Sequence, residues 1–379
     1  MTKTKESLGI RGWDTFEFIV HDLERSQRFY TESFGLPLLG QATEAHRSAQ
    51  GEDVRLFGRA GITLACVAPT ASGSRADRWL KRHPDGIAVL AFRVRDLAHT
   101  HRVLAERGAT FCTAVQKGQD LLGQPFSWFE IATPLGDVRY RFVERAHEAW
   151  LPGIQPLEKP TGLSQTYQSI DHVTSNMLTL EPYISWLKEI MGFEEYWQVQ
   201  FHTSDVNGQS GSGLASTVMW DPESKVKMAN NEPLLPNFEA SQIYSFVEDN
   251  AGPGVQHIAF HVPDIQGTVD ALRQKGLHFL DVPATYYEML PARLKEHHVT
   301  NFTEDLGTLQ KLGVLVDGDD DKYLLQLFMQ EGATLYQEKQ AGPFFYEVIQ
   351  RKGATLFGEG NFRALFESIE RDQAQRASA

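Results

Sequence analysis

Two stretches of this chain are copies of one pattern. WDTFEFIVHDLERSQRFYTESFGLPLL aligns without a gap on IDHVTSNMLTLEPYISWLKEIMGFEEYW, pairing Asp14 with Asp171, Phe29 with Trp186 and Gly35 with Gly192 at a constant offset of 157. Each copy reads as an apolar strand, a helix and a glycine stop. A second pair, PDGIAVLAFRVRDLAHTHRVLAERGATF over GPGVQHIAFHVPDIQGTVDALRQKGLHF, matches Phe92, Asp96, Leu104, Gly108 and Phe111 with Phe260, Asp264, Leu272, Gly276 and Phe279 at an offset of 168. Asp96 and Asp264 stand where helix caps are expected. A third pair, GDVRYRFVER over PFFYEVIQR, ends at Arg145 and Arg351, an offset of 206. A repeat of this length restricts the chain to two copies of one unit.

The Pro/Gly-punctuated LPGIQPLEKPTG, around Gly153 to Gly162, reads as the linker between the copies. It divides the chain into domains at 1–152 and 163–379, and 379 residues, 41% of them hydrophobic, suffice for two cores. The offset grows from 168 to 206, so the second half carries an insertion of 38 residues (206 minus 168). It holds PATYYEMLPARLKEHH and an acidic run, Asp317-Gly318-Asp319-Asp320-Asp321, which reads as a hairpin tip because a calcium loop needs a terminal glutamate that is missing.

The net charge of -13 argues against nucleic acid and anionic membranes as partners. No run of about 18 apolar residues is present, and the first residues have no apolar signal region. Two cysteines, Cys66 and Cys112, supply neither a disulfide framework nor a paired-cysteine metal site, so a cytoplasmic location is expected.

Near the end, Phe344, Phe345, Tyr346, Val348 and Ile349 read as a strand with Glu347 in its middle, on the face shared by Phe345 and Ile349. A carboxylate on an apolar face needs a cation, a hydrogen-bond partner or a metal. After Phe357-Gly358-Glu359-Gly360, the apolar residues Phe362, Leu365, Phe366 and Ile369 recur at helical spacing. Asn361 is the expected cap of a terminal helix over 361–373 that covers something apolar.

The copies differ where it matters chemically. Thr15, Val89 and Arg141 of the first half correspond to His172, His257 and Glu347 of the second. Two imidazoles and a carboxylate with open positions form the facial triad that binds iron(II), and zinc is a chemical alternative. Strands suit such a site because their side chains are rigidly aimed. His202, His261, His297 and His298 read as solvated or strand-end residues.

Asp171-His172-Val173, Gly254-Val255-Gln256-His257, Leu324-Leu325-Gln326-Leu327-Phe328, and FYEVIQR followed by FGEGNFRALFESIE resemble the 4-hydroxyphenylpyruvate dioxygenase family. The likeness covers most of the second half and rests, in the first, on the duplicated unit alone. It implies an α+β fold of tandem βαβββ modules forming two half-open barrels, of the vicinal oxygen chelate or glyoxalase-like type, with a C-terminal lid helix. It implies His172, His257 and Glu347 as Fe(2+) ligands in the second domain and a metal-free first domain. Ser216, Asn231, Gln242, Gln256 and Gln326 then match polar positions of the substrate pocket, and Phe328, Phe345, Phe357 and Phe362 its aromatic wall. Gln326, Phe362 and Asn361 are the further catalytic candidates. Thr174-Ser175 depart from the family's smaller, less polar residues.

The activity implied is conversion of 4-hydroxyphenylpyruvate and O2 to homogentisate and CO2, by decarboxylation, ring hydroxylation and side-chain migration, in tyrosine and phenylalanine catabolism. A homo-oligomer, dimer or tetramer, is also implied. The competing readings are a 4-hydroxymandelate synthase, which would carry a smaller aliphatic residue at Phe362, an extradiol catechol dioxygenase, and a non-catalytic binding protein of the same fold.

Overall fold

The computed structural model describes residues 5–59, 61–146, 151–157, 167–202, 213–235, 237–355, 357–358 and 360–361. The described strands fall into two sheets. The first is built from β1 (Ile10–Ile19), β2 (Leu38–Ala42), β3 (Glu52–Arg59), β4 (Ile62–Pro69), β5 (Gly86–Val94), β6 (Gln116–Gln119), β7 (Pro125–Ala132), β8 (Arg139–Arg145) and β9 (Ile154–Pro156). The second contains β10 (Ser169–Asn176), β11 (Glu194–His202), β12 (Gly213–Trp220), β13 (Lys227–Leu234), β14 (Gly254–His261), β15 (Leu315–Asp319), β16 (Lys322–Phe328) and β17 (Phe345–Lys352).

Their orders are β6-β7-β8-β5-β1-β4-β3-β2-β9 and β11-β12-β13-β10-β14-β17-β16-β15. Read from opposite ends, and setting β9 aside, these are one topology. Each sheet joins two βαβββ modules through an antiparallel central pair, β1 with β5 and β10 with β14. The strands flanking each pair, β4 and β8 or β13 and β17, run parallel to it. The repeat seen in the sequence is thus a repeat of whole half-barrels, each itself a pair of modules.

Local chemistry keeps the copies alike. Asp96 and Asp264 accept from His99 N and Gly267 N, capping the helices Leu97–Glu106 and Ile265–Gln274 as expected. Gly35 and Gly192 end the helices after β1 and β10 with φ of 84° and 73°, a left-handed conformation that only glycine adopts without a side-chain clash. Strand β9 corrects the linker's expected start at Gly153, because Ile154–Pro156 pairs with β2 and extends the first sheet.

The outward faces of the two sheets share one apolar core. At its centre Phe34 stacks on Tyr346 (4.6 Å) and on Tyr167 (4.9 Å), and the Tyr30 and Tyr346 hydroxyls are 2.7 Å apart. Alternation along β17 decides the rest: Tyr346 and Val348 enter this shared core, so Glu347 faces the inside of the second half-barrel. The insertion forms the helix Ala284–Glu296, which lies over β15, and the helix Leu306–Leu312, which packs beside it and against Ile265–Gln274. Asp320 and Asp321, both at positive φ, make the hairpin turn between β15 and β16, as the acidic run suggested. Asp317 does not belong to that turn; it is a buried residue of β15.

Among the described residues no helix is long and apolar enough to cross a membrane, and the two cysteines are unpaired.

Candidate metal centre

Three neighbouring strands of the second half-barrel bring the triad together. Thr174 of β10 lies opposite His257 of β14, which places His172, two residues earlier, on the same inner face. His257 and Ala259 lie beside Phe345 and Glu347 of β17. His172 Nε2 is 3.4 Å and His257 Nε2 3.3 Å from Glu347 Oε2, and the donor atoms of all three residues lie within 4.8 Å of one another. An ion bound at about 2.1 Å to imidazole nitrogen and carboxylate oxygen wants donors about 3 to 3.4 Å apart. The cluster therefore fits a metal ion, and His257 Nε2, buried without a hydrogen-bond partner, is an open donor for one.

Both imidazoles are turned by their other nitrogen. His172 Nδ1 donates to Asp171 Oδ1 at 2.9 Å, and His257 Nδ1 donates to Gln256 Oε1 at 3.1 Å. Each bond leaves Nε2 as the unprotonated atom on the side of Glu347. Asp171 is itself clamped by Arg351, whose Nε and Nη2 donate to its two oxygens at 2.6 and 2.7 Å. Burial raises the Asp171 pKa, but the bonds from Arg351 and His172 outweigh this and hold it well below the usual carboxylate range. Burial likewise disfavours charge at both histidines. At His257 burial prevails and the pKa falls; at His172 the charge of Glu347 and the bond to Asp171 raise it. Glu347 is pushed up by burial and pulled down further by the two imidazoles, so its pKa lies below the ordinary value.

The clamp is present in both halves, the triad in one. In the first half Asp14 accepts from Arg145 Nε at 2.9 Å and from Thr15 Oγ1 at 3.0 Å, the same contacts with threonine in the place of His172. In the second half the matching aspartate also orients a histidine. Asp171 was not among the candidates, although Asp14/Asp171 and Arg145/Arg351 were already matched in the repeat.

The other candidates divide. Gln326 is buried with neither amide atom hydrogen-bonded, and lies on β16 opposite Ile349, two residues from Glu347. Phe328 is opposite Glu347 and 5.9 Å from the His257 ring, Phe345 stacks on His257 at 4.9 Å, and Phe357 meets the His172 ring edge-on at 5.1 Å. Ser216, Asn231 and Asn176 align across β12, β13 and β10 on the inner face, with Asn231 Nδ2 donating to Asn176 Oδ1 at 3.0 Å. Asn176 was missed, since a polar strand residue looks the same whichever way it points. Of Thr174-Ser175, Thr174 is on the inner face and Ser175 on the outer. Gln242 is exposed at the first position of the helix Gln242–Asp249.

Asn361 corrects the expected cap. A helical turn already begins at Gly360, and the fully buried Asn361 accepts from the Tyr286 hydroxyl at 2.6 Å through Oδ1. The Gly360 amide donates to Asp317 at 3.0 Å. The inserted helix and β15 thus hold the segment that follows Phe357. Phe362 and the expected helix over 361–373 lie, beyond Asn361, outside the described residues. His297 and His298 are exposed as expected, whereas His202 and His261 are half-buried at strand ends.

Comparison with known proteins fits this architecture. Residues 12–125 and 169–290 match the family model of the Glyoxalase/Bleomycin resistance protein/Dioxygenase superfamily, one match in each half. The chain is 32% identical over 384 residues to a 4-hydroxyphenylpyruvate dioxygenase of Dictyostelium discoideum, covering 97% of this chain and all of that one. It is 33% identical to the Danio rerio protein of that name, covering 96% and 90%, and 32% identical to that of Legionella pneumophila (strain Corby), covering 98% and 97%. Among solved structures, a mutant 4-hydroxymandelate synthase from Streptomyces coelicolor superposes with a TM-score of 0.79 at 26% identity, covering 96% of this chain and 99% of that one. With relatives above 30% identity matched along nearly their whole length, and with the duplicated half-barrel they share, this chain belongs to the 4-hydroxyphenylpyruvate dioxygenase family.

Proposed function

We propose that the protein is an iron(II)-dependent dioxygenase that converts 4-hydroxyphenylpyruvate and O2 to homogentisate and CO2, a step in tyrosine and phenylalanine breakdown. The observation that carries the reading is the buried convergence of His172, His257 and Glu347 beside an unpartnered Gln326 amide. Two neutral imidazoles and one carboxylate are the iron(II) facial set, and bound iron supplies positions for the 2-oxo acid and for dioxygen. Zinc would offer no redox chemistry for an oxygenation.

The chain's own side chains do the remainder. Asp171 and Gln256 hold the proton of each histidine on Nδ1, so that both Nε2 atoms face the ion. The Gln326 amide can accept from and donate to a phenol hydroxyl, which needs a fixed partner rather than a charge. Phe328, Phe345 and Phe357 surround the imidazoles and exclude water, which would otherwise compete for a reactive oxidant. Ser216, Asn231 and Asn176 offer further polar contacts along the inner face.

Benzylic attack, giving 4-hydroxymandelate, is the second reading because the superposed synthase shares the fold. We assign ring attack from the 4-hydroxyphenylpyruvate dioxygenase relatives and from the bulk of Phe362. The test is oxygen uptake with iron(II) and 4-hydroxyphenylpyruvate followed by product analysis. Homogentisate is expected; 4-hydroxymandelate as the main product overturns the choice of carbon, and absence of uptake overturns the enzyme.

A further inference from the structure

Phe357, which meets the ligand His172 edge-on at 5.1 Å, belongs to no strand, so its ring is fixed by its neighbours rather than by sheet register. It packs with Val218 and Ala229 of the inner face, and Trp197 stacks on it at 6.2 Å. Two cations complete the nest. The Arg351 guanidinium, which also clamps Asp171, stands 5.6 Å from the ring centroid, and the Lys227 ammonium stands 5.6 Å from the same centroid and 5.3 Å from that of Tyr196.

Lys227 is half-buried at the start of β13, and among the described residues it has neither an ion pair nor a hydrogen bond. An ammonium so placed gives up part of its hydration. Burial lowers its pKa from the ordinary lysine value, while the charge of Asp171 opposes this. The faces of Phe357 and Tyr196 are what it gains in return, since a ring face is the negative part of the aromatic quadrupole. Tyr196 is tied to the same segment, its hydroxyl donating to the Thr355 carbonyl at 3.3 Å.

The repeat separates this lysine from the scaffold. Val173 of β10 lies beside Met228 of β13, and in the first half Phe16 lies beside Leu64; Val173 and Phe16 are related by the same offset of 157 (173 minus 16) that relates Asp171 to Asp14. Lys227 therefore corresponds to Thr63. The clamp of Asp171 with Arg351 has a counterpart in Asp14 with Arg145, but the lysine, like the histidines, stands in the half that holds the triad. A role in the shared scaffold would not distinguish the halves.

We propose that Lys227 is a positioning residue of the metal site, whose ammonium acts with Arg351 on the ring of Phe357 to hold it against His172 and keep water from that side of the ligand. The inference rests on the proposed function for what the site does, but the contact itself can be tested without turnover.

In chelator-stripped protein, Lys227→Met and Phe357→Leu are combined in a double-mutant cycle followed by urea unfolding, which cancels the change in lysine hydration. A coupling of about twofold to fivefold in the unfolding constant is expected, the range for a cation over a ring. With iron(II) and 4-hydroxyphenylpyruvate, Lys227→Met should lower kcat about tenfold and yield less homogentisate per O2 consumed, since a loosened wall misplaces the substrate and admits water. Lys227→Arg should restore both. Lys225→Met, which removes the exposed ammonium 4.7 Å from the Trp220 ring centroid, should change neither. Additive unfolding effects, a rise in KM with kcat and product yield intact, failure of Lys227→Arg to restore either, or an equal loss in Lys225→Met would each overturn the proposal. A parent chain that consumes no O2 would overturn the dioxygenase reading, and the unfolding cycle would still decide this one.

Discussion

Replacing Asp171 by asparagine tests whether the clamp it forms with Arg351 orients a ligand. The carboxylate accepts from His172 and from Arg351, and the side chains of Asp171 and Arg351 are only 7% and 13% exposed, so solvent screens the pair poorly. Removing one partner of a buried ion pair costs about 3 to 5 kcal/mol. The amide has a single acceptor oxygen. If it serves His172, the NH2 group faces the Arg351 donors. If it serves Arg351, the imidazole must turn its proton to Nε2, the atom that faces the ion. Either way the ligand is misoriented or mis-protonated, and losses at such orienting partners reach about 10- to 100-fold in metal affinity.

The first half supplies the control. Asp14→Asn breaks the same kind of buried clamp, with Arg145 and Arg93 as partners, but the hydroxyl of Thr15 can reverse its bond and no ion is served. Both variants should lose about 3 kcal/mol in urea unfolding. Only Asp171→Asn should weaken iron(II) binding, measured anaerobically on chelator-stripped protein, and its turnover should recover at excess iron. Equal metal affinity in Asp171→Asn and the unaltered protein, or an equal loss in Asp14→Asn, would refute the orienting role.

Loss of a ligand should be more severe. His257→Ala or Glu347→Ala removes several kcal/mol of metal-supplied stabilisation, about a thousandfold or more in turnover, with far-ultraviolet dichroism unchanged; retained oxygen uptake would sink the metal centre. Gly358 has φ of +79°, and a Cβ there would stand 2.4 Å from Gln326 Nε2. Gly358→Ala should therefore displace that amide and lower kcat/KM by about tenfold to a hundredfold, a kinetic measurement that a silent substitution would contradict. Acid should attack the first half through Glu17. Burial raises its pKa, but Arg141 and Arg75 outweigh this and bring it from 4.5 down to about 2. A lowered carboxylate stabilises the fold above its unfolded pKa and loses that contribution as pH falls from about 4.5 towards 2. The difference amounts to about 3 kcal/mol. Urea unfolding followed over that range should show the loss in the parent chain and a flatter profile in Glu17→Gln; identical slopes would remove Glu17 as the cause.

Much of this protein could be read from its residues because both of its informative signals are local or repetitive. Alternation along a strand placed Glu347 opposite in direction to Tyr346, and the duplication turned three substitutions, Thr15 to His172, Val89 to His257 and Arg141 to Glu347, into a candidate triad. Aspartate before a helix and glycine after one carry their meaning within a few bonds, so Asp96, Asp264, Gly35 and Gly192 behave as expected. What lies across strands was out of reach. That β10, β14 and β17 are adjacent, that Arg351 closes on Asp171 from 180 residues away, that Asp317 is buried in β15 and that Asn361 is held by Tyr286 all depend on pairing order and register. The same holds for the pairing of Arg141 with Glu17 and Glu130 inside the first half. A side chain's period fixes which face it takes, but only the closing of the sheet decides which other side chains share that face, because those contacts arise between segments far apart in the sequence.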